Sequence, residues 1–218
     1  VQEFSTDQVA ALTVTQLGSF SSTKFAALTD AQVAAMTLTQ VQSISASNLS
    51  AMSLTQIAAL STTQVSGLTT TQLAGLSVTN LSGLDQTQVA ELTTTQVKAL
   101  TTTQIGGLTA TDVAEFTNTQ LTALNTSQVV AFTQTNIASL TDTQVAALTG
   151  PQLAKLSNTA VKALDTTQLS SLNSTQVQSF TTSQIAALDE TDLDEFTVTQ
   201  LGALNATQDD ATTRAQAQ

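Results

Sequence analysis

Large apolar residues fall at two fixed places in an eight-residue frame that begins at Ser5 and runs to Leu204. In Thr93-Thr94-Thr95-Gln96-Val97-Lys98-Ala99-Leu100 they are the fifth and eighth residues, three apart. That spacing puts both on one face of a helix but on opposite faces of a strand. A β-solenoid is the competing reading, because Thr and Val favour strands and Thr-x-Thr spacing suits a flat face; it fails on this parity. One continuous helix fails as well. Eight residues at 3.6 per turn over-rotate by about 80° per octad, so the apolar stripe would spiral round the rod.

The polar positions say where each helix begins. All 26 first positions, from Ser5 to Asn205, are Thr, Ser, Asp or Asn. These residues share a short side-chain oxygen, the feature an N-cap needs to accept from an orphan backbone N–H. Three residues later stands Gln in 19 of the 26 octads, among them Gln96, Gln104, Gln120 and Gln144. Ser/Thr-x-x-Gln is the capping box, in which the Gln reaches back to the cap residue's own N–H. The fifth residue and the large residue before each cap (Leu92, Leu100, Phe116) hold the two positions of a hydrophobic staple. Each octad thus carries a complete helix-start signal, and the next arrives after about six helical residues, roughly 9 Å of rise. The pattern predicts an all-α repeat solenoid, or superhelix, of very short helices, one per octad.

A longer period lies beneath the first. Phe20, Met36, Met52, Phe116, Phe132, Phe180 and Phe196 all stand at the eighth position, and every interval among them is a multiple of 16. Octads of that class mostly carry Val at the fifth position (Val33, Val113, Val129, Val177), whereas their partners more often pair Ile or Leu with Leu (Ile105 with Leu108, Ile185 with Leu188). Small-plus-large alternating with medium-plus-medium is volume complementarity for a close-packed core. The expected unit is therefore two short helices in 16 residues.

Along the chain, residues 1–4 read as the end of a preceding repeat, with Phe4 before the Ser5 cap. Residues 5–204 read as one continuous octad-repeat solenoid, and 205–218 as a degenerate last repeat and polar tail, a cap or a disordered end. In that last repeat the apolar pair is lost to Asp209 and Thr212. The octad Ser21–Leu28 departs from the pattern, with Lys24 in the Gln slot and Phe25 after it, and a local packing adjustment is expected there. Asn48, Asn80 and Asn136 shorten the Gln, and Asp112 and Asp192 replace it with a charge suited to a helix N-terminus. The single proline, Pro151, falls in a first helical turn, where its missing N–H does no harm.

Composition narrows the function. There is no Cys and no His, which removes thiol and imidazole metal ligands, disulfides and the commonest general base. The net charge of -11 repels phosphate backbones and anionic membranes, so nucleic acid is not an expected partner. No apolar run approaches the roughly 20 residues of a membrane helix, so membrane insertion is not expected. No basic-then-apolar signal stretch opens the chain, and it begins at Val1 rather than Met, which reads as a mature product or a piece cut from something longer.

Three features deserve weighing as sites. Asp189-Glu190-Thr191-Asp192-Leu193-Asp194-Glu195 is the densest charge cluster; calcium would suit its carboxylates, but the glycine-bearing EF-hand spacing is absent and a solvated face with helix-start acids explains it. Glu91 and Glu115 recur singly on a repeated scaffold, without a base, nucleophile or phosphate loop beside them. Thr-x-Thr rows (Thr69 and Thr71, Thr93 and Thr95, Thr101 and Thr103, Thr117 and Thr119) are of the kind an ice-binding face uses; capping explains the first Thr and leaves the third without a role. No catalytic, cofactor or metal residue is assigned, and the chain is read as no enzyme.

The stretch Leu92-Thr-Thr-Thr-Gln-Val-Lys-Ala-Leu100 resembles the octapeptide Leu-Thr-x-x-Gln-Val/Ile-x-Ala-Leu repeat tracts of large proteobacterial surface or secreted proteins, often labelled adhesin-like. The resemblance covers Ser5 to Leu204 and is one of repeat style. It implies an extracellular or cell-surface setting and carries no site residue across. The expected role is structural: a spacer, stalk or self-assembling fibre segment whose partners are further copies or neighbouring repeats. The alternative is a binding module that holds a protein or glycan on an extended solenoid face.

Overall fold

The computed structural model describes Val1 and residues 3–215; of Arg214 and Ala215 it describes the backbone alone. Every octad forms one helix, from Thr6–Ala10 in the first to Ala206–Ala215 in the last, and no strand occurs among the described residues. Capping is what starts each of them. In the octad of Thr93 the cap oxygen accepts from the Gln96 N–H at 3.2 Å, and Gln96 Oε1 accepts from the Thr93 N–H at 2.7 Å. The cap residue itself is extended, at φ -69° and ψ 157°. Asp85, Asn125, Asp165 and Asn173 close the same box with their carboxylate or amide oxygens, so the short oxygen and not the Thr methyl is the shared requirement.

Helices of four to six residues cannot hold themselves together in water, and here tertiary contact supplies the difference. The chain forms two compact units, Val1–Gly107 and Leu108–Gln218. In the first, helix Val14–Gly18 packs on Leu38–Ser43, which packs on Thr62–Ser66. In the second, Ala110–Ala114, Gln134–Ala138, Asn158–Val161, Thr182–Ile185 and Ala206–Ala215 pack each on the next. Within each unit, therefore, the neighbours are helices three apart in sequence. The solenoid closes one turn every three octads, 24 residues, and turns its apolar positions inward. Fifth-position residues from Val9 to Leu193 are all buried, as are eighth-position residues from Leu28 to Phe196.

The expected 16-residue pair of helices survives as an alternation of side-chain size, while the packing step is 24. Because three is an odd number, the two periods combine usefully. A helix of the Phe/Met class always lies against helices of the other class, so Ala110–Ala114, followed by Phe116, packs on Gln134–Ala138, followed by Leu140. The small-plus-large and medium-plus-medium octads thus meet between turns.

Glycine serves close approach here and not helix termination. No described residue has a positive φ. Instead, the seventh residue of one octad lies over the second residue of the octad three earlier, 29 positions back. Gly67 lies over Leu38, Gly83 over Leu54 and Gly107 over Val78; a Cβ on Gly67 would come 2.1 Å from Leu38 Cδ1. Leu38, Leu54 and Val78 at position two are therefore each matched by a missing side chain at position seven.

The irregular octad at Ser21 keeps its cap, which accepts from the Lys24 N–H, and buries Phe25 completely. Phe25 meets the Phe20 ring edge-on at 5.7 Å, and the Lys24 ammonium sits 5.6 Å from the same ring. At the other end, Ala206–Ala215 is ten residues long, the longest of the described helices. The polar tail expected at 205–218 is thus helical as far as Ala215; residues 216–218 lie outside the described residues.

Candidate functional site

The feature that recurs in turn after turn is a ladder of buried glutamine side chains. Gln96 uses its oxygen for its own helix start and its amide for another helix altogether. Gln96 Nε2 donates to the carbonyls of Val65, Ser66 and Leu68 at 3.2, 3.1 and 2.7 Å. Those residues stand 28 to 31 positions earlier, at the end of a helix on the preceding turn. The Val65 carbonyl already accepts from the Leu68 N–H at 3.1 Å, but those of Ser66 and Leu68 accept no backbone N–H, because the helix stops before it can supply one. The same rung joins Gln40 to Leu12, Gln72 to Ile44 and Gln104 to Leu76 in the first unit. In the second it joins Gln144 to Phe116, Gln168 to Leu140 and Gln200 to Leu172. One side chain therefore satisfies an orphan N–H and a buried orphan C=O on different turns.

Sequence reasoning found the first half of this role and missed the second. The signal was present: a capping box accepts Glu as readily as Gln, yet no Glu stands at this position in the chain. Only an amide can donate toward the turn behind it. The substitutes behave accordingly. Asn80 and Asn136 still reach Met52 and Leu108, at 3.1 Å each. Asp192 cannot donate; beside it Lys162, from the octad four earlier, pairs with Asp189 at 3.2 Å and Asp192 at 3.6 Å. Ala160 has no amide at all and is fully buried.

The acidic stretch at Asp189–Glu195 is thus organised around Lys162. The ammonium is raised above its usual range chiefly by the Asp189 hydrogen bond, and Asp189 is lowered first by the Asp192 backbone N–H and then by Lys162. Among the described residues no group of acidic side chains converges as a metal site. Glu91 and Glu115 both occupy a seventh position; Glu91 is exposed and Glu115 half-buried.

The third-position Thr acquires a role. Thr87 and Thr167 donate to the cap carboxylates of Asp85 and Asp165, and Thr55, Thr143 and Thr159 bond the cap hydroxyls of Ser53, Thr141 and Ser157 at 3.0 Å. In these octads the third-position hydroxyl braces the cap, whereas the cap hydroxyls of Thr69, Thr93 and Thr101 donate to Oε1 of Gln72, Gln96 and Gln104. Both residues of the pair remain exposed, so helices Thr70–Ala74 and Thr94–Ala99, which pack on one another, present Thr69, Thr71, Thr93 and Thr95 on consecutive turns. A shallow groove lined by Thr182, Ser183, Ala186, Thr207, Asp210 and Ala211 lies where the last helix crosses Thr182–Ile185. No described helix is long and apolar enough to cross a membrane. Comparison with known protein families and with curated proteins finds no match to this chain.

Proposed function

We propose that the chain is a structural repeat segment, a spacer, stalk or fibre element of an exported bacterial protein, and that it performs no catalysis. One observation carries the reading: the near-invariant positions of the octad, first, fourth, fifth and eighth, are accounted for by starting each helix, filling the core and joining one turn to the next. The outward second position varies among Thr94, Thr102, Ala110, Asn118 and Gln134 without concentrating aromatic or basic chemistry. Such a scaffold can gain or lose whole turns and keep its contacts, which suits a part whose task is distance. The extracellular or cell-surface setting belongs to this proposal and rests on the resemblance of repeat style.

A binding role is the second reading, favoured by the exposed Thr pairs on consecutive turns, which offer hydroxyls to a glycan, a protein or an ice surface. Two measurements separate them. Fluorescent domains fused to the two ends should show transfer efficiency that changes stepwise as 24-residue turns are inserted or removed. In parallel, the labelled chain is screened on glycan and protein arrays and for thermal hysteresis. Saturable binding that is lost on substituting exposed Thr residues would overturn the spacer reading.

A further inference from the structure

Asn-x-Ser/Thr is the acceptor signature for a sugar on an asparagine amide, and five asparagines carry it: Asn48, Asn80, Asn125, Asn173 and Asn205. A chain this rich in Ser and Thr makes the triplet freely, so the fold has to separate acceptors from coincidences. The atom that takes the sugar is Nδ2, and its surroundings differ among the five. Asn48 and Asn80 stand at the fourth position of their octads and spend Nδ2 on the turn behind. Asn48 donates to the Phe20 carbonyl at 3.2 Å, and Asn80, only 4% exposed, donates to the carbonyls of Leu49, Ser50 and Met52 at 3.1 Å each. Asn205 turns Nδ2 to Oε1 of the buried Gln208 at 2.7 Å.

Asn125 and Asn173 are arranged the other way round. Each is an exposed cap residue whose Oδ1 accepts from the N–H of Gln128 or Gln176 at 3.0 Å. Among the described residues neither donates a hydrogen bond through Nδ2, so the oxygen fixes the side chain and the nitrogen stays uncommitted. Ser127 and Thr175, which supply the hydroxyls of the two triplets, are exposed as well. The two asparagines are 48 positions apart, two steps of 24. Helices Thr126–Val130, Gly150–Leu153 and Ser174–Gln178 pack each on the next, so both caps lie on one side of the second unit, two turns apart. At the usual spacing of packed helices that is about 16–20 Å, room for a sugar on each.

We propose that Asn125 and Asn173 are N-glycosylation sites, each taking a sugar from a diphosphate-activated donor. The bond that forms joins Nδ2 to the anomeric carbon, and the bond that breaks joins that carbon to the donor's phosphate oxygen. The diphosphate leaves with the bonding pair, and one of the two Nδ2 protons passes to the transferring enzyme's base. Oδ1 takes no part, so the Gln128 and Gln176 N–H groups keep their acceptor and both caps survive the modification. A sugar on Asn48 or Asn80 would instead take the place of a rung between turns. The acceptor geometry does not depend on the spacer role.

Site-resolved mass spectrometry of the full chain, isolated from the cells that make it, tests the assignment. Asn125 and Asn173 should each carry a sugar mass, and Asn48, Asn80 and Asn205 none. Ser127→Ala and Thr175→Ala remove the signature without touching the caps. Each should abolish the sugar at its own asparagine alone, with helical circular dichroism and melting temperature unchanged. Two incubations of the purified, unmodified, folded chain separate the donors: a soluble N-glycosyltransferase with a nucleoside-diphosphate hexose, and a membrane oligosaccharyltransferase with a lipid-diphosphate oligosaccharide. The one that reproduces the native pattern names the source. A native chain bare at both Asn125 and Asn173, or one carrying as much sugar at Asn48 or Asn80, would overturn the sites while leaving the spacer reading to its own fluorescence test.

Discussion

The amide of Gln96 donates to the carbonyl of Leu68 at 2.7 Å, across 28 residues of sequence, while its oxygen holds the Thr93 N–H at 2.7 Å. Removing that side chain takes the partner from the Thr93 N–H and from the buried Leu68 carbonyl together. Gln96→Ala should cost about 2–4 kcal/mol, and Gln96→Glu, which keeps the cap and buries a carboxylate beside backbone carbonyls, at least as much. Gln8→Glu, at an exposed rung, should change stability by about 0.5 kcal/mol or less. Chemical denaturation of the three variants measures this; equal effects at positions 8 and 96 would contradict the ladder.

Ala160 is a missing rung supplied by nature. It stands where its repeat mates carry Gln, 28 positions after Phe132. Ala160→Gln should restore both bonds and raise stability by about 1 kcal/mol, read as a higher melting temperature. A loss would mean that the turn has closed over the space.

Gly67 and Leu38 are a matched pair, since a Cβ at Gly67 would lie 2.1 Å from Leu38 Cδ1. Gly67→Ala should cost about 1–3 kcal/mol, and combining it with Leu38→Ala should recover much of that loss in a double-mutant cycle. Gly18 has nothing within 4 Å of such a Cβ, so Gly18→Ala should be neutral or stabilising by up to about 1 kcal/mol. Additive effects of the Gly67 and Leu38 substitutions would remove the contact from the account.

Two caps should make stability depend on pH. Asp85 and Asp165 are held below the ordinary 3.8 of a carboxylate, first by the Thr87 and Thr167 hydroxyls and then by the Gln88 and Gln168 N–H groups. A lowered native value means that the stabilisation is complete above about pH 3.8 and is lost as pH falls below it through the native values. Asp85→Asn with Asp165→Asn keeps cap oxygens of the kind Asn125 uses, and should flatten that part of the profile while leaving neutral-pH stability nearly unchanged. An unaltered acid profile in the double variant would assign the loss to other groups.

A rung spans 28 to 31 residues, so no fragment shorter than that contains one. Peptides of one octad pair, or of one 24-residue turn, should show no helical circular dichroism in water, and pieces of two or more turns should gain it. A helical octad pair would refute the dependence of each helix on its neighbours.

The sequence by itself determined the helix starts, their eight-residue spacing and the apolar positions, because caps, boxes and staples act within one octad. It could not determine the step of three, since that depends on residues 28 to 31 apart, and the alternation at 16 pointed to a pair. The last octad shows where local signals stop. Thr213-Arg214-Ala215-Gln216 repeats the box spacing, yet the helix begun at Ala206 runs through Thr213 to Ala215. Before Thr213 stands Thr212 in place of a buried Leu or Phe. Capping atoms propose where a helix can start; burial of the eighth side chain, on a turn that only the tertiary structure builds, is what makes the preceding helix end.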